Sequence, residues 1–178
     1  CHKTCVRHHL DMDFEEQFRD IASRLSIDMP KATWSSEVFV LKESTIEINL
    51  PAEIRVLISK VFLDLAEVLE ERDPVTDVLF KNPYDQTDDQ VAWEMLAAET
   101  LRVERVERAK RASWQSAEGV MHYNDTQNWL RVSNDVRLVL CGEDPTEERM
   151  NHLSYGSDAI CVVYQLMTGL VAELVAVW

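Results

Sequence analysis

The stretch Trp129-Leu-Arg-Val-Ser-Asn-Asp-Val-Arg-Leu-Val-Leu-Cys-Gly142 decides the fold class of this chain. Its apolar residues recur at steps of three and four, the spacing that places side chains on one face of an α-helix. They are Trp129, Val132, Val136, Val139 and Leu140. Asp125 stands upstream as a candidate cap, and Gly142 stands where a helix can end in a left-handed residue. The stretch therefore predicts one amphipathic helix, and no catalytic residue pattern accompanies it.

Two further segments carry strong helical patterns. Pro51 opens the first, because a proline in the first turn loses no helical hydrogen bond, and the pattern runs until Asp73-Pro74. The other begins at Asp158 or the residue before it and is apolar around much of its circumference as far as Trp178. Such a helix is typically surrounded by others. We expect the core to be built by the helices that begin near Pro51, Asp125 and Asp158.

The remaining patterns are weaker. Glu37–Leu41 and Thr45–Asn49 are rich in β-branched and aromatic residues, which predicts a small hairpin. A charged helix is predicted from about Gln90 to Ser116, and we expect it to lie on the outside because its apolar stripe is thin. The stripe consists of Trp93, Leu96, Ala97, Thr100, Val103 and Val106. Gly119–Tyr123 is predicted to be a connection.

The predicted fold is thus mainly α, a helical bundle of about four to six helices with a small N-terminal β-hairpin. Residues 1–33 are expected to form a loosely ordered N-terminal segment, in which the pattern of Phe14–Leu25 predicts one short helix. Residues 34–178 are expected to form a single helical domain with the hairpin at its start. Short helical turns are predicted at Val75–Phe80 and after Thr146.

The charge balance restricts the classes of partner. Thirty-two acidic and 18 basic side chains give a net charge of −14, which repels polyphosphate and anionic lipid. The densest basic run, Arg102 to Arg111, is interleaved with glutamates, and Glu104 with Arg108 and Glu107 with Arg111 lie one helical turn apart. We interpret the run as a solvated helix face with intrahelical pairs. Nucleic acid is disfavoured as a partner.

Composition also bears on the compartment. No uninterrupted apolar run reaches the about 20 residues that span a bilayer, and no positively charged start precedes an apolar region. Ile160–Trp178 comes closest, but polar residues interrupt it. The four cysteines form no CxxC pair, which fits a reducing environment. We predict a cytoplasmic protein without a membrane span, and homo-oligomerisation stays open.

Metal-ligating residue types crowd the start of the chain. They are Cys1, His2, Cys5, His8 and His9. Thiolate and imidazole are ligands that zinc prefers, but a structural zinc site normally draws ligand pairs from two separated segments, and these come from one. We therefore predict no bound metal and no cofactor. The competing hypothesis is a metal-dependent site built from these residues.

The best candidate for a specific polar site is Asn134-Asp135 with Arg131 and Arg137, since Arg131 lies one helical turn before the aspartate. Most such sets tie a helix to its neighbour, and we favour that structural role. His122 and His152 lie in predicted connections without a serine, cysteine or carboxylate pattern that would make either a catalytic base. No catalytic, cofactor-binding or metal-binding residue is predicted.

Residues from about Ile46 to Trp178 resemble an uncharacterised actinobacterial helical family that is usually encoded beside the Clp protease adaptor ClpS. The resemblance rests on the order of short matches: Leu50-Pro51, Asp73-Pro74, Val78-Leu-Phe80, Pro83-Tyr84, Trp129-Leu-Arg and Asn134-Asp135-Val-Arg-Leu-Val-Leu140. The N-terminal cysteines and histidines and the segment around Trp34 lie outside it. The family has no established activity to transfer. Its gene neighbourhood implies a link to regulated proteolysis, and some members are labelled transcriptional regulators.

We expect a non-enzymatic regulatory or adaptor protein that acts by protein-protein recognition, with the link to Clp-dependent proteolysis that the resemblance implies. Its acidic exterior would meet a basic patch on a Clp component or another protein, since complementary charge raises encounter rate and selects partners. One alternative is a transcription regulator, which the charge disfavours. The other is a metal-dependent enzyme using the N-terminal cysteines and histidines, which their local clustering disfavours.

Overall fold

A computed structural model describes residues 37–81, 93, 97–142 and 146–177. The described α-helices are α1 (Ala52–Glu70), α2 (Glu99–Glu118), α3 (Thr126–Cys141), α4 (Glu147–Tyr155) and α5 (Ala159–Val177). The strands are β1 (Phe39–Lys42), β2 (Thr45–Ile48) and β3 (Val120–His122), and two 3₁₀ helices cover Pro74–Phe80 and Tyr123–Asp125. The predicted fold class is confirmed: the protein is mainly α with a small antiparallel sheet. The helix predicted over Phe14–Leu25 and the start of the charged helix at Gln90 lie outside the described residues.

The sheet has the order β1-β2-β3, and both pairings are antiparallel. The predicted hairpin forms β1 and β2, whereas the prediction of a connection at Gly119–Tyr123 is wrong because β3 lies there. Ile46 of β2 is paired with Leu41 on one side and Met121 on the other. In β3 only the middle residue, Met121, is buried. A three-residue strand is too short to show the alternation from which strands are predicted.

Trp129 lies at the centre of the core and is fully buried. Phe39 of β1 and Phe62 of α1 meet its ring edge to face, with centroid distances of 6.1 and 5.3 Å. Both geometries are favoured for aromatic pairs. Around them lie buried apolar residues of α1, α3 and α5, so the predicted contribution of these helices to the core is confirmed.

The charged helix α2 packs along α1 with one face and exposes the other to solvent, as expected of an outer helix, but the face that is buried is not the predicted one. Val103, a member of the predicted stripe, is 54% exposed. The face of α2 that meets the core carries small residues instead, namely Ala109, Ala112, Ser113 and Ser116. They let the helices approach so closely that the hydroxyls of Ser59 and Ser113 are hydrogen-bonded at 2.9 Å. Periodicity of large apolar residues does not reveal such a face.

Helix ends follow local sequence. Asp73, Thr146 and Asp158 each accept a main-chain N–H two or three residues onward, at 2.9–3.1 Å. These contacts satisfy donors that a helix start leaves without a partner. Gly142 ends α3 at its predicted position with a positive φ of 81°, but its ψ of −178° lies outside the left-handed helical region. Asp125 precedes α3 as predicted, but its side chain makes no capping hydrogen bond there.

Among the described helices, α5 alone is long and apolar enough to span a membrane by length and composition. A core helix passes the same test, and α5 packs as one. Its residues Met167, Leu170 and Leu174 are fully buried, and the helix makes its largest interface with α3. The face of α5 that carries these residues therefore has packing partners within the protein, whereas Val175 is 58% exposed.

Candidate functional site

The first two arginines of the basic run of α2, Arg102 and Arg105, point into the protein. Arg102 Nη1 donates to the carbonyl of Leu69 in the last turn of α1 at 3.2 Å, and its guanidinium lies 4.3 Å from the ring centroid of Phe80. Arg105 Nη2 donates to the carbonyl of Leu79 at 3.2 Å. The side chains of Arg102 and Arg105 retain only 15% and 20% of their exposure. The interpretation of this run as a solvated face is wrong for both arginines.

The rest of the run also has partners within the protein. Arg108 Nε donates to the main-chain carbonyl of Glu104 at 3.1 Å. Lys110 Nζ lies 2.6 Å from a carboxylate oxygen of Glu70 on α1, and Arg111 Nη1 lies 3.5 Å from one of Asp125. The last two contacts leave α2, whereas the sequence predicts pairs within it. Four of the five basic residues of the run thus contact other elements of the chain, and Arg108 contacts its own helix.

Arginines bind the ends of neighbouring helices at two more places. Arg55 Nη1 of α1 donates to the carbonyl of Ala117 at the end of α2 at 3.3 Å, and Arg149 Nη2 of α4 donates to that of Leu140 at the end of α3 at 2.9 Å. The last turns of α1, α2 and α3 contain no basic residue of their own. Their terminal carbonyls, which carry partial negative charge, therefore receive a cation from a different helix.

The predicted polar set on α3 is divided between two neighbours. Asp135 is buried and forms an ion pair with Arg105 of α2. Burial raises the pKa of Asp135 above its ordinary value, against the nearby guanidiniums of Arg105, Arg108 and Arg131, which act to lower it. The ion pair joins α3 to α2. Removing one partner would leave the other as a buried charge without a counterion, which is strongly destabilising. The structural role that the sequence favours fits these contacts.

The other members of the set point elsewhere. Arg137 Nη1 donates to the side-chain oxygen of Asn134 at 2.9 Å. The Arg137 guanidinium lies 5.3 Å from the ring centroid of Tyr164 on α5, within the range of a cation–π contact. Arg131 is exposed. The set therefore does not converge on one ligand position.

A buried polar network that the sequence does not predict holds the central tryptophan. Trp129 Nε1 donates to Gln115 Oε1 at 2.8 Å, and Gln115 Nε2 donates to Asp125 Oδ2 at 2.7 Å. Asn128 Nδ2 donates to the other oxygen of the same carboxylate at 3.2 Å. Each buried polar group thereby keeps a partner, as buried groups require. The network fixes α2 against α3 and explains why Asp125 does not cap its helix.

A second cluster of chemically versatile side chains lies where α4 meets α5. His152 is on α4, so its predicted place in a connection is wrong, and the fold gives it the carboxylate and thiol neighbours that the sequence pattern does not show. His152 Nε2 lies 2.8 Å from Asp158 Oδ2. Cys161 is in the first turn of α5, and its Sγ donates to the carbonyl of His152 at 3.1 Å. One ligand atom of each of the three residues lies within 4.8 Å of the other two.

The thiol of this cluster is not an activated nucleophile. Burial raises the pKa of Cys161 to about 11, and the neighbouring Asp158 contributes to the increase. For Asp158 burial acts in the raising direction, but hydrogen bonds from Cys161 and His152 outweigh it and lower the pKa. The carboxylate is therefore ionised and the thiol neutral near neutral pH. Nucleophilic cysteine catalysis requires the opposite state of the thiol.

The remaining histidines and cysteines that were considered as ligands or catalytic residues do not join either cluster within the described residues. His122 lies in β3 and is exposed. The cysteines and histidines at positions 1–9 lie outside the described residues. The two described cysteines, Cys141 and Cys161, are free thiols.

The described residues form a mainly α-helical domain with a three-stranded sheet, in which several arginines bind main-chain carbonyls of neighbouring elements. A family model for a domain of unknown function, DUF2017, matches residues 31–178, and the chain belongs to this family. The matched residues include Trp34, although the segment around it was expected to lie outside the family resemblance. Neither the curated proteins nor the solved structures contain a match to the chain.

Proposed function

We propose that this protein is a non-enzymatic regulatory or adaptor module that acts by protein-protein recognition. The observation that supports the proposal is the internal use of the basic run of α2. Arg102 and Arg105 are only 15% and 20% exposed, so the interior takes up these two cations. Glu104 and Glu107 face solvent, and this part of α2 therefore presents acidic groups at its surface. A chain with a net charge of −14 then presents its acidic side chains to a partner.

The exposed residues suit such a partner. Glu104 and Glu107 face solvent on α2, and Glu147 and Glu148 face solvent in the first turn of α4. The same two helices expose large aromatic side chains: Trp114 of α2 is 63% exposed and Tyr155 of α4 is 83% exposed. Tryptophan and tyrosine are enriched where proteins bind proteins. A partner with a basic surface is the chemistry that this exterior favours.

The proposed link to Clp-dependent proteolysis rests on the resemblance to a family usually encoded beside ClpS. A ClpS or Clp ATPase surface rich in lysine and arginine would gain encounter rate and selectivity from the acidic exterior. Nucleic acid remains a poor partner on the same ground, because α2 offers no free basic face for phosphates. The transcription-regulator alternative gains no support from the described contacts.

The proposal is tested by measuring binding of the full chain to purified ClpS and Clp ATPase of the source cell by calorimetry or surface plasmon resonance across a salt series. We expect affinity to fall as salt rises, because exposed charges are screened over about 8–10 Å at ordinary ionic strength. Replacing Glu147→Lys and Glu148→Lys together should weaken binding by about three- to tenfold.

The matched control is His122→Gln, a change of one exposed polar residue on β3 that leaves the acidic residues in place. It should bind like the unaltered protein. Absence of binding to every Clp component at low salt would remove the link to proteolysis. Tight, sequence-selective binding to DNA in a mobility-shift assay at physiological salt would instead favour a transcription regulator.

A further inference from the structure

The turn between α4 and α5 brings together three side chains of the types that bind transition metals. We infer that His152, Asp158 and Cys161 form a binding site for one divalent transition-metal ion, with zinc as the expected occupant. The three ligand atoms lie within 4.8 Å of one another. Imidazole nitrogen, thiolate sulfur and carboxylate oxygen are the three ligand types that zinc takes from proteins.

Metal binding requires only small movements: His152 Nε2 and Asp158 Oδ2, which are 2.8 Å apart, must separate slightly, and ligand atoms up to 4.8 Å apart must approach one another. Zinc bonds of about 2.0–2.3 Å place neighbouring ligand atoms of a tetrahedron about 3.3–3.8 Å apart. The side chains of His152 and Asp158 are 50% and 44% exposed, so both can rotate enough to move their ligand atoms by up to about 1 Å. Their exposure also gives an ion access from solvent and leaves the fourth position to water.

The two oxygens of Asp158 have separate partners. Oδ1 accepts the main-chain N–H of Cys161 at 2.9 Å and so caps the start of α5. Oδ2 faces the His152 ring at 2.8 Å. The capping contact orients the carboxylate and leaves its second oxygen for a metal. Such support by a neighbouring hydrogen bond is typical of ligands in metal sites.

Packing at Gly156 is an independent sign that this turn is held tightly around the ligands. A Cβ at this position would lie 2.5 Å from Cys161 Sγ and 3.2 Å from His152 Nδ1. Its backbone is not left-handed, with a φ of −71°, so glycine is required here for space alone. Cys161 itself is fully buried on the core helix α5. One ligand is thus fixed by the core, and the turn brings the other two to it.

This inference differs from the sequence-based prediction that no metal is bound. That prediction considers only the cysteines and histidines at positions 1–9, which come from one segment. Here His152 lies on α4, Asp158 in the turn and Cys161 on α5, so a bound metal would link the two helices. The spacing of His152, Asp158 and Cys161 matches no common zinc motif, so only the fold reveals the cluster.

Cobalt(II) is the probe, because it occupies the same nitrogen and sulfur sites and its bond to a thiolate is seen as charge-transfer absorption. The protein is the full chain with Cys1→Ser and Cys5→Ser, which removes the other thiols able to give this signal near the N-terminus. We expect one cobalt per chain, a thiolate band, and displacement of the band by zinc. The band should disappear in Cys161→Ser.

Two further variants separate metal binding from structural roles. Asp158→Asn keeps a helix cap, since asparagine caps about as well as aspartate, yet loses the carboxylate, and His152→Gln alters a half-exposed residue. Each should weaken cobalt binding at least about tenfold with little change in melting temperature of the metal-free protein. These two variants decide the question even if Cys161→Ser does not fold. Cys141→Ser, the other described thiol, should leave the band unchanged.

Three outcomes would overturn the inference. They are no cobalt band in the Cys1→Ser, Cys5→Ser protein, a band that survives in both His152→Gln and Asp158→Asn, or a band that is lost only in Cys141→Ser. The test does not depend on any protein partner. Its failure would therefore leave the proposed recognition function as it stands.

Discussion

At the scale of single residues, Asp64 is the carboxylate whose ionisation most clearly opposes folding. It lies half-buried on α1. Burial raises its pKa from 3.8 to about 6; Lys60 acts to lower the pKa and Glu67 to raise it. Because the folded protein holds the proton more tightly than the unfolded chain does, this group favours folding below about pH 4. That contribution is lost as pH rises through about 6.

We expect Asp64→Asn to stabilise the protein at neutral pH and to have little effect below about pH 4. The gain should be about 1 kcal/mol in the free energy of unfolding, less than the full pKa shift implies because the side chain is partly exposed to solvent. Urea unfolding at several pH values measures it. Glu107→Gln, at an exposed position on α2, is the control and should change stability by less than about 0.5 kcal/mol. A gain that grows toward acid pH would contradict the assignment.

Residue types predicted some contacts and not others. Asp73, Thr146 and Asp158 cap helices because a short side-chain oxygen at that position reaches a nearby N–H, and this depends on local sequence alone. Asp135 was visible as a candidate, but its partner Arg105 lies 30 residues away. His152 lies only six residues before Asp158 and nine before Cys161, but the sequence does not predict their convergence because the conformation of the turn between α4 and α5 decides it.

At the scale of elements, the junction of α1 and α2 depends on one glycine. Gly119 ends α2 in a left-handed conformation with a φ of 79°, and a Cβ there would fall within the guanidinium of Arg55. Arg55 is the residue that binds the carbonyl of Ala117 at the same helix end. Glycine therefore suits this position for two reasons: its backbone adopts a positive φ without strain, and it has no side chain to occupy the space of Arg55.

We expect Gly119→Ala to destabilise the protein by about 2–3 kcal/mol, from left-handed strain and displacement of Arg55. In an Arg55→Ala background the same change should cost only about 1 kcal/mol, because the clash is gone. A double-mutant cycle in urea measures the difference. Equal costs in the two backgrounds would show that strain alone accounts for the effect.

Elements with regular apolar spacing were predicted well. The helices α1, α3 and α5 each bury large residues at three- and four-residue steps. Pro51 marks the start of α1, Gly142 the end of α3 and Asp158 the start of α5. The inner face of α2 was missed because alanine and serine contribute little to an apolar pattern. Strand β3 was missed because its pairing with β2 is a tertiary contact that three residues do not announce.

For the whole molecule, the stability should depend on the core around Trp129 much more than on the helix surfaces. Val61→Asp, at a position 6% exposed on α1, should cost several kcal/mol and unfold most of the protein, since total stabilities are about 5–15 kcal/mol. Val56→Asp is the matched control, because Val56 is 61% exposed on the same helix. Its effect should stay below about 1 kcal/mol. Equal losses of melting temperature for the two variants would contradict the packing described.

The contacts between arginines and the ends of other helices can form only in a certain order while the chain is synthesised on the ribosome. The carbonyl of Leu69 must wait for Arg102, which is added 33 residues later, or about 2–7 s later at ordinary rates of translation. The carbonyl of Ala117 meets the opposite situation, because Arg55 emerges 62 residues before it is needed. A nascent chain that stops between the two helices therefore leaves α1 without its cation and Arg55 without its acceptor. The end of α1 therefore waits for α2, whereas the end of α2 finds its arginine already made.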